Sequence, residues 1–275
     1  MLADLHVHTN FSDGLWPPEA VVDAAVENGV SVFAIADHDT MSGTQAASTY
    51  LAENPDLSEQ VTLIPALEIS TSIEGRDAHL LAYFLESLGP SLTAELDGIR
   101  ERRSKRSLNT ADKLNAAGYP VSAAMLEASN ETVNRVNLAR LLVSKGVVNT
   151  VEDAFDTLIG EGAPFFTPQD DLDLLKAIRL VREQGGVTVL AHPALYHLTD
   201  LIPMLSRNGL MGIEAFHSEQ SPEQSQELIS IADKLDLLVT AGSDWHQDKV
   251  HPARIGEVLY PEEYLEQFLA TDPRI

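Results

Sequence analysis

Short apolar runs rich in Val, Ile, Leu and Ala recur along the chain at residues 2–8, 30–36, 61–67, 78–84, 187–191, 210–216 and 237–241. Between several of them the apolar positions change to a helical period, at residues 17–28, 43–53, 172–184, 222–235 and 262–269. Near-continuous apolar strands alternating with amphipathic helices are the pattern of βα units around a parallel sheet buried on both faces. The helix at 17–28 opens on Pro17 and Pro18, where a missing N–H costs nothing, and Gly29 closes it. From 92 to 168 the rhythm breaks: helical patterns at 92–117, 122–128, 137–145 and 151–159 follow one another without a strand. Gly118-Tyr119-Pro120, Gly146 and Gly160-Glu161-Gly162 punctuate them. The expected organisation is one α/β domain, residues 1–91 and 169–275, interrupted by a helical insertion at 92–168.

Composition narrows the chemistry. A chain of 275 residues, 44% of them hydrophobic, can bury a large core. It has no cysteine, which removes disulfide frameworks, thiolate metal sites and cysteine nucleophiles together, so any metal must be held by nitrogen and oxygen. The first thirty residues carry Asp4, Asp13, Glu19, Asp23 and Glu27 and lack the basic start and apolar core of a signal peptide. No apolar run approaches bilayer-spanning length, and a cytoplasmic protein with no membrane partner is the expectation. Forty-two acidic against eighteen basic residues give a net charge of -24. That balance argues against tight non-specific binding to long duplex nucleic acid or anionic membranes, and it leaves a small phosphorylated substrate open. No obligate protein partner is implied.

In parallel α/β sheets function collects at the carboxyl ends of the strands. The first run supplies His6 and His8, two apart and therefore on one side of a strand, and Asp13 follows in the loop. The second leads into Asp37-His38-Asp39, the third into Glu68, and the fourth begins with His79. The fifth ends in Ala191-His192-Pro193, the sixth carries Glu214 and leads to His217, and the seventh ends in Ser243-Asp244-Trp245-His246. Any one such histidine is more often an ordinary hydrogen-bonded residue than a ligand. Six histidines and three carboxylates delivered to one face form a different case, because without cations the carboxylates would repel one another. Imidazole and carboxylate without sulfur suit Mn, Zn or Fe. Nine ligands exceed the needs of one ion, so two or three divalent metal ions are expected, with Glu68, from a central strand, as the bridging carboxylate. Paired metals suit hydrolysis at a phosphoryl centre by a metal-bound hydroxide.

These residues resemble the PHP (polymerase and histidinol phosphatase) phosphoesterases, which are related to the amidohydrolases. "DLHVHT" at 4–9, "ADHD" at 36–39, "AHP" at 191–193 and "SDWH" at 243–246 match the family's four motifs in order, and Asp13, Glu68 and His79 match between them. The resemblance implies a distorted (β/α)7 barrel. It further implies one metal on His6, His8, Glu68 and Asp244, a second on Asp13, His38 and His246, and a third on Glu68, His79 and His192.

The insertion resembles that of a subgroup containing 3',5'-nucleoside bisphosphate phosphatases and a 5'-to-3' exoribonuclease, in which it caps the site and helps bind phosphate. Its stretch "RERRSKR" at 100–106 gathers Arg100, Arg102, Arg103, Lys105 and Arg106 around a helix, most of them expected to be solvated or paired with acidic neighbours. Arg135 and Arg140 in "NRVNLAR" are the expected substrate contacts, and Asn137 stands where the subgroup commonly has histidine. His217 is expected to donate a proton or contact phosphate, with a surface histidine as the plain alternative, and His197 and His251 are read as structural.

The resulting expectation is a metal-dependent phosphoesterase acting on small nucleotides, foremost on the 3'-phosphate of 3',5'-nucleoside bisphosphates, with Glu68, Asp244 and His217 as the catalytic groups. The alternatives are a 5'-to-3' exonuclease on short RNA, a cyclic-phosphate diesterase, a histidinol-phosphate phosphatase, and a non-catalytic metal-bound interaction module. Histidinol phosphate is less favoured because Asp13 stands where that branch often has histidine.

Overall fold

The computed structural model describes residues 1–128, 132–168, 171–247 and 254–272. They form two compact units, Met1–Leu96 with Asp171–Ile275, and Asp97–Asp170. In chain order the elements begin with β1 (Ala3–Val7), α1 (Pro18–Glu27), β2 (Val32–Ile35), α2 (Ser42–Glu53), α3 (Pro55–Ser58), β3 (Thr62–Ile73) and β4 (Arg76–Tyr83). Then come α4 (Pro90–Ala116), α5 (Ala123–Glu127), α6 (Arg135–Ser144) and α7 (Val151–Ala154), the last continuing as a π-helical turn at Phe155–Ile159. The chain closes with β5 (Leu172–Asp173), α8 (Leu174–Arg182), β6 (Val187–Leu190), α9 (Ile202–Arg207), β7 (Gly212–His217), α10 (Pro222–Leu235), β8 (Leu238–Gly242) and α11 (Glu262–Leu269).

Seven strands follow the order β1-β2-β3-β4-β6-β7-β8, with the short β5 set against β3. The sheet nearly closes on itself: Val7 bridges to Trp245, the His8 N–H donates to the Trp245 carbonyl at 3.0 Å, and the Asp244 N–H donates to the His6 carbonyl at 2.9 Å. This is the distorted seven-stranded barrel, with one departure from an all-parallel sheet. β4 runs antiparallel to both β3 and β6. The cause is local: Glu74 and Gly75 have φ of 51° and 76°, and this two-residue turn pairs Ile73 directly with Arg76. Two successive positive φ values make a hairpin of primed type, so no crossover helix separates these strands.

β3 is longer than its apolar run suggested, because its first half pairs with β2 and its second half with β4. Glu68 therefore lies within a strand and not at its end. The helix expected at 172–184 also starts late. Leu172 and Asp173 pair with Thr71 and Ser72, and the Asp173 side chain then caps α8 by accepting from the Lys176 N–H at 2.9 Å.

Two apolar layers flank the sheet. The inner one joins Ala3, Leu5, Ala34, Ala36, Ala66, Leu81, Tyr83, Val189 and Ala191 to Tyr260, Leu265 and Phe268 from the C-terminal segment. The outer one packs Val21, Val22, Ala25 and Leu51 of α1 and α2 against Val7, Phe33 and Ile35. Leu5 and Val7 are two apart yet belong to different layers. A bulge explains this: Asp4 pairs with Phe33 and Val7 with Ile35, so one extra residue sits on β1. β7 carries a second bulge, between Glu214 opposite Thr240 and Phe216 opposite Ala241.

The Asp97–Asp170 unit has a helical core of its own, including Ala111, Leu114, Leu138, Leu142, Ala154 and Leu158, and no strand among its described residues. Ser122, Asn134 and Thr150 cap α5, α6 and α7 with their side chains, and the Asn134 cap makes α6 begin at Arg135, two residues before the expected start. No helix among the described residues is long and apolar enough to cross a membrane.

Candidate metal centre

The bulge in β1 turns His6 and His8 away from the outer layer that holds Val7 and toward Glu68 of β3. Their Nε2 atoms lie 3.1 Å apart, and each is 3.3 Å from Glu68 Oε2. Asp244 Oδ1, just beyond β8, is 3.0 Å from His8 Nε2 and 3.4 Å from His6 Nε2. Four side chains from three strands thus aim nitrogen and oxygen at one point.

A second group forms around Asp13 in the loop after β1. His246 Nε2 is 3.2 Å from Asp13 Oδ1, His38 Nε2 is 3.6 Å from Oδ2, and His8 Nδ1 is 3.6 Å from Oδ1. His246 Nδ1 lies 2.7 Å from the backbone carbonyl of Asp244, which accepts its proton, so a neutral ring turns the Nε2 lone pair toward Asp13. The third group centres on the other Glu68 oxygen, Oε1, which is 2.9 Å from His79 Nδ1 and 3.1 Å from His192 Nε2. His38 also offers Nδ1 to Glu68 Oε2 at 3.1 Å and so faces two groups. Donor atoms of His8, Asp13, His38 and His246, of His6, His8 and Glu68, and of His38, Glu68 and His79 each fall within 4.8 Å of one another. All nine residues expected at the metal site come together around Glu68 and Asp13.

Charge makes the same point. Among the described residues, Glu68 and Asp244 find only imidazoles as ion partners. Burial opposes the charged form of His8, yet hydrogen bonds with Asp244 and Glu68 carry its pKa up to about 10. Burial likewise opposes protonation of His6, and Glu214, Glu68 and Asp244 overcome it and hold the ring well above its usual value. Conversely burial would raise Glu68, but His38, His79 and His6 pull it well below the carboxylate range. A buried anionic site that draws protons onto His6 and His8 in this way is short of positive charge. Divalent cations fit both the charge and the nitrogen and oxygen donor set.

Backbone strain gathers at the same end of the barrel. Asp39, His192 and Asp244 have φ of 57°, 29° and 54°. Such conformations cost about 1–3 kcal/mol each and persist where the surroundings hold them. Here the Asp39 N–H donates to the Glu68 carbonyl at 2.8 Å and the Asp244 N–H to the His6 carbonyl.

Several contributors had no role in the sequence reading. Asp37 is buried and accepts from the Thr9 N–H at 2.7 Å, the Thr9 hydroxyl at 2.6 Å and the Ser12 hydroxyl at 2.6 Å, which fixes the loop that carries Asp13. Asp4 accepts from the N–H groups of His6 at 3.3 Å, Ser243 at 2.9 Å and Gly256 at 2.8 Å, tying β1 to the end of β8. Glu214 contacts His6 and His192. Tyr196 sets its ring 5.2 Å from those of His79 and His192. The available signal was a carboxylate inside or beside an otherwise apolar strand, which is costly to bury without partners.

His217 is buried at 4% exposure, so the surface-histidine alternative is overturned. Its Nδ1 accepts from the Glu219 N–H at 3.1 Å and its Nε2 lies 3.5 Å from Asp244 Oδ2. Arg135 and Arg140 belong to the second unit. Arg135 lies over the Phe155 ring at 5.8 Å, and Arg140 Nη1 donates to Asn137 Oδ1 at 2.7 Å. Asn137 itself is a buried cross-link, its Nδ2 donating to the Thr132 carbonyl at 2.8 Å. In the basic stretch Arg100 pairs with Asp97, and Lys105 pairs with Glu101 at 2.6 Å. His197 presents its carbonyl to Arg76 at 2.8 Å, and His251 lies outside the described residues.

The model of the PHP domain matches residues 4–157. The chain is similar to a 5'-3' exoribonuclease of Haemophilus influenzae, 34% identical over 250 residues that cover 88% of this chain and 89% of that protein. It is similar to a phosphoribosyl 1,2-cyclic phosphate 1,2-diphosphodiesterase of Eggerthella lenta, 33% identical and covering 90% and 94%. It also matches a 3',5'-nucleoside bisphosphate phosphatase of Chromobacterium violaceum, 29% identical and covering 88% and 86%. Among solved structures, one described as a candidate metal-dependent phosphoesterase from Bifidobacterium adolescentis superposes with a TM-score of 0.88 at 30% identity, covering 98% of this chain and 96% of that one.

Proposed function

The chain belongs to the PHP-domain family and is a metal-dependent phosphoesterase, and from that premise we propose that it hydrolyses phosphate esters of small nucleotides, foremost the 3'-phosphate of a 3',5'-nucleoside bisphosphate. The observation that carries this reading is the convergence of His6, His8, Glu68 and Asp244 on one point, with Glu68 Oε1 turned to a second set. In this reading two or three ions of Mn, Zn or Fe are held by His6, His8, Glu68 and Asp244, by Asp13, His38 and His246, and by Glu68, His79 and His192. Such ions, when bound, polarise phosphoryl oxygens and lower the pKa of water near them.

The protein's own groups do the rest. Glu68 shares its two oxygens between two groups of imidazoles and so holds their separation. Asp244 presents Oδ1 to His6 and His8 and Oδ2 to His217. Because His217 Nδ1 accepts a backbone N–H, its neutral ring carries the proton on Nε2, where it can donate to a substrate oxygen or to the departing alkoxide. Burial of His6, His8 and Glu68 excludes bulk water and strengthens each of these interactions. Arg135 and Arg140, on the second unit, carry no step here.

The test is release of inorganic phosphate by metal-loaded protein from a nucleoside 3',5'-bisphosphate, run beside a 5'-phosphorylated short oligoribonucleotide, a cyclic phosphodiester and histidinol phosphate. Turnover fastest on the bisphosphate supports the reading. Shortening of the oligonucleotide with an untouched bisphosphate would replace it with the exonuclease reading, which the 34% identity to an exoribonuclease favours and the net charge of -24 disfavours for long RNA. No turnover on any of the four, with metal bound, would leave the interaction module.

A further inference from the structure

Glu214 lies outside the nine donors, is fully buried on β7, and its carboxylate bridges two strand ends, with His6 Nδ1 nearer Oε1 than Oε2. Oε1 is 3.1 Å from His6 Nδ1, and Oε2 accepts the backbone N–H of His192 at 2.9 Å. We propose that Glu214 is a positioning residue that couples two parts of the metal centre, setting the tautomer of His6 and holding the backbone on which His192 stands.

The argument for His6 is one of proton count. Its Nε2 faces His8, Glu68 and Asp244, and can act as a ligand only if it carries a lone pair. The neutral ring then has its single proton on Nδ1, and that N–H needs an acceptor. Glu214 supplies one, in the carboxylate–histidine–metal relay that fixes a ring and raises its basicity. For His192 the argument is conformational. Its φ of 29° is unfavourable for a residue with a Cβ, and the hydrogen bond from its N–H to Glu214 Oε2 holds that peptide in place.

Both oxygens of Glu214 accept, so the position requires a carboxylate. A glutamine of the same shape offers one acceptor and one donor, and would set an N–H against either His6 or His192. The packing beside it is close. A Cβ added at Gly242 would lie 2.2 Å from His6 Cβ and 2.7 Å from Glu214 Oε1. Gln220 supports the same point, donating from Nε2 to the Glu214 carbonyl at 3.2 Å and accepting the Ala194 N–H at 3.4 Å.

This inference rests on the metal reading given above, and the experiment separates the two. Zn²⁺ is titrated calorimetrically into metal-free wild-type protein and into Glu214→Gln, with circular dichroism as the check on folding. The expected result is an affinity about 10–100-fold weaker for the ions that His6 and His192 hold. The ion on Asp13, His38 and His246 keeps its wild-type affinity. Unchanged binding at every site, or equal weakening at all of them, would overturn the proposal, since a merely structural role does not discriminate between sites. If the variant fails to fold, the His6 ring in zinc-loaded wild-type protein decides: nitrogen chemical shifts that place zinc on Nε2 and the proton on Nδ1 support the role, and zinc on Nδ1 overturns it. Wild-type protein that binds no Zn²⁺ would sink the metal reading, whereas zinc binding that Glu214→Gln leaves unchanged would sink only the role of Glu214.

Discussion

Charge is concentrated in two regions of this chain with opposite outcomes. Residues 100–106 of α4 gather five cations, and two of them pair with neighbours on the same helix, Arg100 with Asp97 and Lys105 with Glu101, all between 44% and 69% exposed. At the barrel's strand ends nine donors from distant parts of the chain meet with His6, His8 and Glu68 at 0–1% exposure. For Arg100 and Lys105 water screens the charges and helical spacing pairs them, so these two pairs contribute little. In the second, desolvation raises the cost of every charge until the groups can be held only by one another and by cations. A run of like charge is therefore a weaker sign of chemistry than scattered charges that the fold buries together.

The sharpest way to break this contrast is to remove the carboxylate that five imidazoles share. Glu68→Gln is expected to lower phosphate release from the best substrate by more than about 10³-fold with the fold retained by circular dichroism. Activity within tenfold of wild type would place the chemistry away from the strand ends.

The next effect is on stability without metal. His8 holds its proton up to about 10 in the fold, against about 6.5 in an unfolded chain. Its contribution is present in full below about pH 6.5 and is lost as pH rises through about 10. Glu68 and Asp244, held well below the carboxylate range, act in the opposite sense, and their contribution is lost as pH falls into that range. Chelated protein should therefore lose several kcal/mol between neutral and strongly alkaline pH, measured as urea midpoints across a pH series. A chelated protein as stable at pH 10 as at pH 7 would show that the buried cluster does not draw protons in place of metal.

Gly242→Ala probes how tightly that cluster is packed. The added Cβ meets His6 Cβ and Glu214 Oε1, and a loss of about 1–3 kcal/mol in denaturant unfolding is expected, together with weaker metal binding. Wild-type stability in this variant would mean that β8 can yield beside His6. The smallest effect belongs to the helix. Lys105→Gln should change stability by no more than about 0.5 kcal/mol, because its pair with Glu101 is exposed on both sides. A larger loss would put that cation in a role beyond its helical neighbour.

Much of the barrel was legible because strands buried on both faces must be almost wholly apolar. A histidine or carboxylate at the end of such a run is conspicuous, as His6, His38, His192 and Asp244 were. Hairpin β3-β4 was missed because Glu74-Gly75 settles direction through two positive φ values, which apolar periodicity does not report. Leu172 and Asp173 read as helix because their pairing with Thr71 and Ser72 is non-local. Glu214 stood in view on its strand without a role, since its partners are 208 and 22 residues away.

The chain alone determined which atoms could hold a cation: with no cysteine, only imidazoles and carboxylates remain, and their positions at the ends of apolar runs follow from the cost of burying them anywhere else. Only the tertiary structure decided how those atoms face one another. Alternation along β1 would leave Leu5 and Val7 on one side. The bulge puts them in separate layers and turns His6 and His8 toward Glu68. A ligand's direction depends on such one-residue slips and on the hydrogen bond behind each ring, and both are set by strands that meet only after the barrel has closed.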